Sequence, residues 1–202
     1  IGRLVVGIEA REYRVELILE NLHEKQDALE QAMHDTLTGL PNRTIFNEHL
    51  QRSLETAKRE DRLLAVVFVD LDKFKPVNDS LGHAAGDQLL KMVAQRLSQS
   101  IRSADVAGRL GGDEFALILD GLHSRQEAQS ICERMLQKLQ EPFDLQAGRV
   151  HIGASIGIAF FPGDGEAPKS LLKSADMAMY RAKSEGRNRI RKYGSELISG
   201  TA

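Results

Sequence analysis

Apolar residues recur along this chain at two different spacings. Leu63–Val69 is a continuous run rich in β-branched side chains, the pattern of a strand buried on both faces, and it ends at Asp70. Ahead of it Ile45, Phe46, Leu50 and Leu54 share one face of a helix predicted over 43–59, with Asn42 placed to cap it. Behind it Leu89, Leu90, Val93 and Leu97 form the inner face of a helix over 83–100. The segments VAGRL and DEFALIL flank Gly111-Gly112 and predict a hairpin whose two-residue turn is the glycine pair, since both turn residues need positive φ. There follow a helix over 124–140 and an alternating strand over Val150–Phe161, broken by Pro162-Gly163-Asp164-Gly165. A helix over 168–184 and a short strand over Arg189–Tyr193 complete the order. Phe115, Leu117, Leu119, Met177 and Met179 are assigned to the core. A hairpin among strands separated by helices predicts an α+β sandwich, its central mixed or antiparallel sheet covered by helices.

Before Asp35 the texture differs. Residues 9–34 contain no Gly or Pro, and Ile8, Val15, Leu22 and Leu29 recur at every seventh position with Arg11, Ile18, Lys25 and Ala32 between them. One amphipathic helix lying on the domain satisfies this pattern. A short parallel coiled coil, kept near marginal stability by its polar d-type positions, satisfies it better. Residues 1–8 read as the end of an upstream strand or module, and the turn-rich segment 35–43 ends the helix. The expected division is a signalling helix over 1–34, a domain over 35–193 and a tail over 194–202.

Composition narrows the class. Of 202 residues, 42% are hydrophobic and 28% charged, a globular balance that excludes disorder. A net charge of −2 offers no electrostatic basis for binding a nucleic-acid polymer. The longest apolar run is far short of the ~20 residues that span a bilayer, so membrane attachment is expected only through segments outside this chain. The single cysteine, Cys132, cannot form an internal disulfide, which fits a reducing, cytoplasmic compartment.

Chemistry concentrates at two places. Asp70 stands at the end of a buried strand, and Asp72 follows with the opposite side-chain direction. Asp113 and Glu114 come directly after the glycine pair. Each feature has a plain explanation, a solvated strand end and an ordinary hairpin turn. If the two strands are neighbours, however, three carboxylates meet at one sheet edge, where like charges ~4 Å apart repel by about 4 kcal/mol at an effective dielectric of ~20. A cation relieves that repulsion. Hard oxygen ligands suit Mg²⁺ or Mn²⁺, and those ions suit a phosphate substrate. The bare glycine backbone would also let a flat ligand approach.

The segment RLGGDEF, residues 109–115, resembles the signature of the GGDEF family of diguanylate cyclases. DTLTGLPNR at 35–43, FVDLDKFKPVNDSLGHAAGD at 68–87, ASIGIAFFP at 154–162 and ADMAMYRAKSEGRNRI at 175–190 are similar to its other blocks, in order. The resemblance implies a palm-like α+β fold shared with nucleotidyl cyclases and polymerases. It implies condensation of two GTP molecules into cyclic di-GMP across a homodimer, with release of two pyrophosphates. By the same resemblance Asp70, Asp113, Glu114 and the Leu71 carbonyl are metal ligands, with Asp113 or a nearby water receiving the proton of the attacking hydroxyl. Asn78 and Asp87 would read guanine, whose paired N1–H and N2–H donors adenine lacks. Gly111 and Gly112 would lie against the nucleotide. Backbone amides of Lys73 and Phe74, with the side chains of Lys75, Lys183 and Arg187, would hold the triphosphate. Taken alone, Asn78 reads as a helix cap, Asp87 as a solvated helix residue, and Lys183 and Arg187 as ordinary C-terminal helix charges. Arg102 and Asp105 match the family's inhibitory product site, where a surface ion pair is the plain alternative. Tyr180, His83 and Cys132 receive no role.

Overall fold

The computed structural model describes residues 33–194, and the heptad segment and the last eight residues lie outside them. Helix α1 (Arg43–Glu60) starts where expected, because the Asn42 side chain accepts hydrogen bonds from the amides of Thr44 and Ile45. It ends at Asp61, which takes a left-handed conformation. Strand β1 (Leu63–Asp72) is the centre of a five-stranded sheet. Helices α2 (Phe74–Leu81) and α3 (His83–Ser98) follow, then β2 (Val106–Gly111), β3 (Glu114–Leu122) and α4 (Arg125–Gln140). A small hairpin of β4 (Phe143–Leu145) and β5 (Gly148–Val150) precedes β6 (Gly153–Phe161), α5 (Pro168–Ser184) and β7 (Arg189–Lys192).

The sheet order is β2-β3-β1-β6-β7, antiparallel except for the parallel β6–β7 pair. Alternation along β1 divides the core. Ala65, Val67, Val69 and Leu71 pack against α2, α3 and α4, while Leu64, Val66 and Phe68 pack against α1 and α5. Burying a Leu or Phe of this kind stabilises by roughly 1.5–3 kcal/mol. Helix α5 lies close on β6 because Gly157 has no side chain. A Cβ there would sit 2.0 Å from the Ala175 carbonyl oxygen and 2.3 Å from the Met179 amide nitrogen.

Five local readings change. Strand β1 continues to Asp72, so Asp70 and Asp72 lie on one face rather than opposite faces, as period two requires. The hairpin turn is Gly112-Asp113, because Gly111 pairs with Glu114 beyond an irregularity after Arg109. Both glycines still have positive φ, 142° and 54°. Val150 belongs to the small hairpin, and β6 starts three residues later, buried from Ala154 onward because helices cover both faces of the sheet. The short helix α2 was hidden by Pro76, which occupies its first turn and costs nothing there. Met177 is 43% exposed, since the buried face of α5 runs through Leu171, Ser174, Ala175, Ala178, Met179 and Ala182.

Candidate active site

The C-terminal end of β1, the β2–β3 turn, the start of β6 and the end of α5 converge on one edge of the sheet. Asp70 pairs with Glu114 on β3 and with Ser155 on β6. The Leu71 amide donates to the Asp113 carbonyl at 3.3 Å, which fixes the turn beside the strand end. Asp70, Leu71, Asp72, Lys73, Phe74, Lys75, Asp113, Lys183 and Arg187, with Pro76, line one cleft of about 190 Å³. Eight residues given metal or phosphate roles from the sequence, and Asp72, therefore share a cavity, although 117 positions separate the first from the last.

Charge in the cleft is balanced locally. Asp70 is buried, and its carboxyl is held above the usual range by burial first, then by the nearby charges of Asp113 and Asp72. Lys183 opposes that shift, with Nζ 2.7 Å from Asp70 Oδ2. Lys73 starts α2 in a left-handed conformation, and no side chain caps that helix. Its first-turn amides are therefore left to an external acceptor, and a helix N-terminus favours an anion.

The other expected residues fall in three places. Asn78 lies one turn after Phe74 on α2, and its Oδ1 is buried with no hydrogen-bond partner. Gly86 makes room for it, since a Cβ at that position would lie 1.8 Å from the same oxygen. Asp87 is exposed on α3, next to Gly86. Glu114 turns to Arg43 at 3.6 Å, so among the described residues no three acidic, His or Cys side chains cluster closely enough to hold a metal by themselves. Of the carboxylates expected at this edge, Asp70, Asp72 and Asp113 line the cleft and Glu114 does not. Arg102 and Asp105 lie apart from the cleft. The buried Asp105 carboxylate accepts from the amides of Arg102, at 2.9 Å, and Asp120, at 3.1 Å, while the exposed Arg102 guanidinium pairs with Glu127.

Sequence reasoning missed Arg109. Its guanidinium donates to both Asp35 oxygens, at 2.9 and 3.1 Å, and to the Gly112 carbonyl, at 2.7 and 3.0 Å. The arginine thereby ties the turn that carries Asp113 to the first residues of the domain. The Asp35 carboxylate also accepts from the amide and hydroxyl of Thr38, but its bond to Arg109 spans 74 positions, so only the fold could reveal the clamp.

An acidic strand end facing a glycine turn, with Lys183 from the end of α5 and Arg187 from the turn that follows it, brings together groups chemically suited to a polyphosphate. The family model described as "Diguanylate cyclase, GGDEF domain" matches residues 32–189, and the chain belongs to this family. It is 40% identical to MucR of Pseudomonas aeruginosa, named a bifunctional diguanylate cyclase/cyclic di-GMP phosphodiesterase, over 93% of this chain and 28% of that protein. It spans well under half the length of the curated relatives it matches. Among solved structures, an N-terminally truncated TpbB from the same organism, comprising only the GGDEF domain, superposes with a TM-score of 0.78. The two are 42% identical over 82% of this chain and 99% of that one. The coiled coil and GGDEF domain of DgcB from Caulobacter crescentus, in complex with c-di-GMP, gives 0.79 at 27% identity, covering 92% and 98%. Among the described residues no helix is long and apolar enough to cross a membrane.

Proposed function

We propose that this chain is a diguanylate cyclase that condenses two GTP molecules into cyclic di-GMP and two pyrophosphates. The observation that carries this reading is the single cleft holding Asp70, Asp113, Lys183 and Arg187 beside the uncapped start of α2. The relatives named for cyclase activity and the neighbour in complex with c-di-GMP support the choice of substrate and product.

The residues present fit Mg²⁺ or Mn²⁺. Mg²⁺ uses one or two carboxylates and completes its sphere with phosphate oxygens, which matches two aspartates and a carbonyl rather than a closed protein cage. Asp70, Asp113 and the Leu71 carbonyl would hold the ion, with Glu114 adjoining once it leaves Arg43. When bound, the ion neutralises triphosphate charge and lowers the pKa of the attacking 3′-hydroxyl. Amides of Lys73 and Phe74, and the side chains of Lys75, Lys183 and Arg187, orient the phosphates. Asp113 or a water beside it takes the hydroxyl proton. Asn78 Oδ1 and the Asp87 carboxylate accept from the guanine edge, against the bare backbone of Gly111 and Gly112. ATP is rejected because a buried acceptor left unpaired costs about 1–3 kcal/mol.

One cleft holds one GTP, and the product contains two. Two copies must therefore face each other, and twofold symmetry makes both attacking hydroxyls equivalent. The heptad positions of segment 1–34 are the means of bringing domains 35–193 together in the cytoplasm, with 194–202 as a tail. Product at Arg102 and Asp105 would bridge domains and hold the clefts apart. Incubating the chain with GTP and Mg²⁺ tests the reading: cyclic di-GMP and pyrophosphate are expected, and no dinucleotide from ATP. Absence of both products refutes it.

A further inference from the structure

Asp72 is a buried carboxylate, 5% exposed, to which metal and phosphate binding assign no task. Its Oδ1 accepts from Ser155 Oγ at 2.8 Å, and its Oδ2 accepts from the backbone amide of Asn188 at 2.8 Å. Both donors are neutral, and a carboxylate accepts more strongly than an amide would. The second bond crosses 116 positions to a turn of unusual backbone. Arg187 and Asn188 both adopt left-handed conformations, with φ of 62° and 49°. Asn tolerates that region, whereas Arg there needs surrounding contacts to hold it.

Those contacts come from several sides. The Arg187 amide donates to the Ala182 carbonyl at 2.9 Å, and Gln140 Nε2 donates to Asn188 Oδ1 at 2.9 Å. Gly153 leaves room for Asn188, because a Cβ there would lie 2.8 Å from Asn188 Oδ1. The turn so fixed is a wall. Asp72, Lys73 and Arg187 border both the 190 Å³ cleft and a second one of about 630 Å³, which Gln140, His151 and Asn188 also line. Arg187 thus stands on the boundary between the two cavities.

We propose that Asp72 is a positioning residue for phosphate recognition, holding Arg187 at the catalytic cleft through the Asn188 amide, and is not a metal ligand. This rests on the cyclase reading, with Arg187 contacting the triphosphate. The test measures calorimetric affinity for a GTP analogue with a methylene between the α and β phosphorus atoms, which cannot be turned over. In the full chain, Asp72→Asn weakens binding about tenfold, equivalent to about 1.4 kcal/mol. The Mg²⁺ concentration for half-maximal activity stays unchanged. In an Arg187→Ala background the same substitution has no further effect, because the two residues act through one turn. Equal losses in both backgrounds, or a raised Mg²⁺ requirement at unchanged nucleotide affinity, overturn the proposal. If the Asp72→Asn chain fails to fold, Gln140→Ala on the exposed end of α4 loosens Asn188 instead. It should cost about two- to threefold in affinity, the effect of one exposed hydrogen bond, and only while Arg187 is present. Unchanged affinity there, or an equal loss without Arg187, overturns it. Product formation by the unsubstituted chain is scored separately, so its absence refutes the cyclase reading and not the affinity comparison.

Discussion

Gly86→Ala should separate stability from nucleotide recognition. Gly86 is inside α3, where alanine is favoured over glycine by roughly 0.5–1 kcal/mol. The added Cβ would lie 1.8 Å from Asn78 Oδ1, 2.9 Å from its Cγ and 3.2 Å from Phe74 Cζ. Two heavy atoms cannot share that space, but the obstructing group is the end of a flexible side chain, so Asn78 swings away and the helices stay in place. The helix-propensity gain offsets the displacement, and the melting temperature should move by no more than a few degrees. On the cyclase reading GTP should then lose its bond to Asn78, a change of about 1–3 kcal/mol, or roughly five- to 150-fold in affinity. Thermal melts and calorimetry with the methylene analogue read both quantities on one preparation. The decisive comparison is in an Asn78→Ala background, where Gly86→Ala should leave affinity unchanged and keep only the stability gain. Unaltered affinity with Asn78 present, or an equal loss with it absent, refutes the reasoning.

Three further outcomes are expected. Asp113→Asn should abolish cyclic di-GMP formation while the circular-dichroism spectrum and melting profile persist, because an amide binds a hard cation poorly; near-parent turnover would remove Asp113 from the metal site. Arg102→Ala should raise the cyclic di-GMP concentration that halves the initial rate, and an unchanged value would remove the product site. Asp35→Asn should lower the melting temperature most above pH 4. Burial opposes ionisation of Asp35, but the Thr38 and Arg109 bonds outweigh it and hold the carboxyl below its ordinary 3.8. Its contribution is complete above that value and is lost as pH falls through the folded one, so the gap between variant and parent should close in acid. A gap that stays constant down to the acid limit would contradict the assignment.

Local pattern carried most of the fold. The helices over 43–59, 83–100, 124–140 and 168–184 were legible because one apolar face and a cap or breaker act within a few residues. Central β1 was legible because burial on both faces leaves an unbroken apolar run. The small β4–β5 hairpin escaped because its three-residue strands are too short to show a period. The turn shifted by one residue because Gly111 and Gly112 both permit positive φ, and only pairing with Glu114 decides which of them turns.

The site was legible as a set of residues but not as a set of contacts. Asp70 and Lys183 were each assigned a ligand, yet they bond to one another across 113 positions. Arg109 with Asp35, and Asp72 with Asn188, are similarly remote, separated by 74 and 116 positions. Such pairs have no periodicity and no preferred spacing, so residue identity shows the capacity to bind without showing the partner. The physical consequence is largest for Lys183. A buried carboxylate whose protonated form is favoured by burial needs a cation beside it, and the lysine supplies one. On the cyclase reading Asp70 would hold a divalent ion whose charge would replace that of Lys183, and the ammonium would then be available to the phosphates. The same side chain would thus balance the aspartate in the unliganded state and the triphosphate in the liganded one, which reconciles the sequence-based assignment with the observed ion pair.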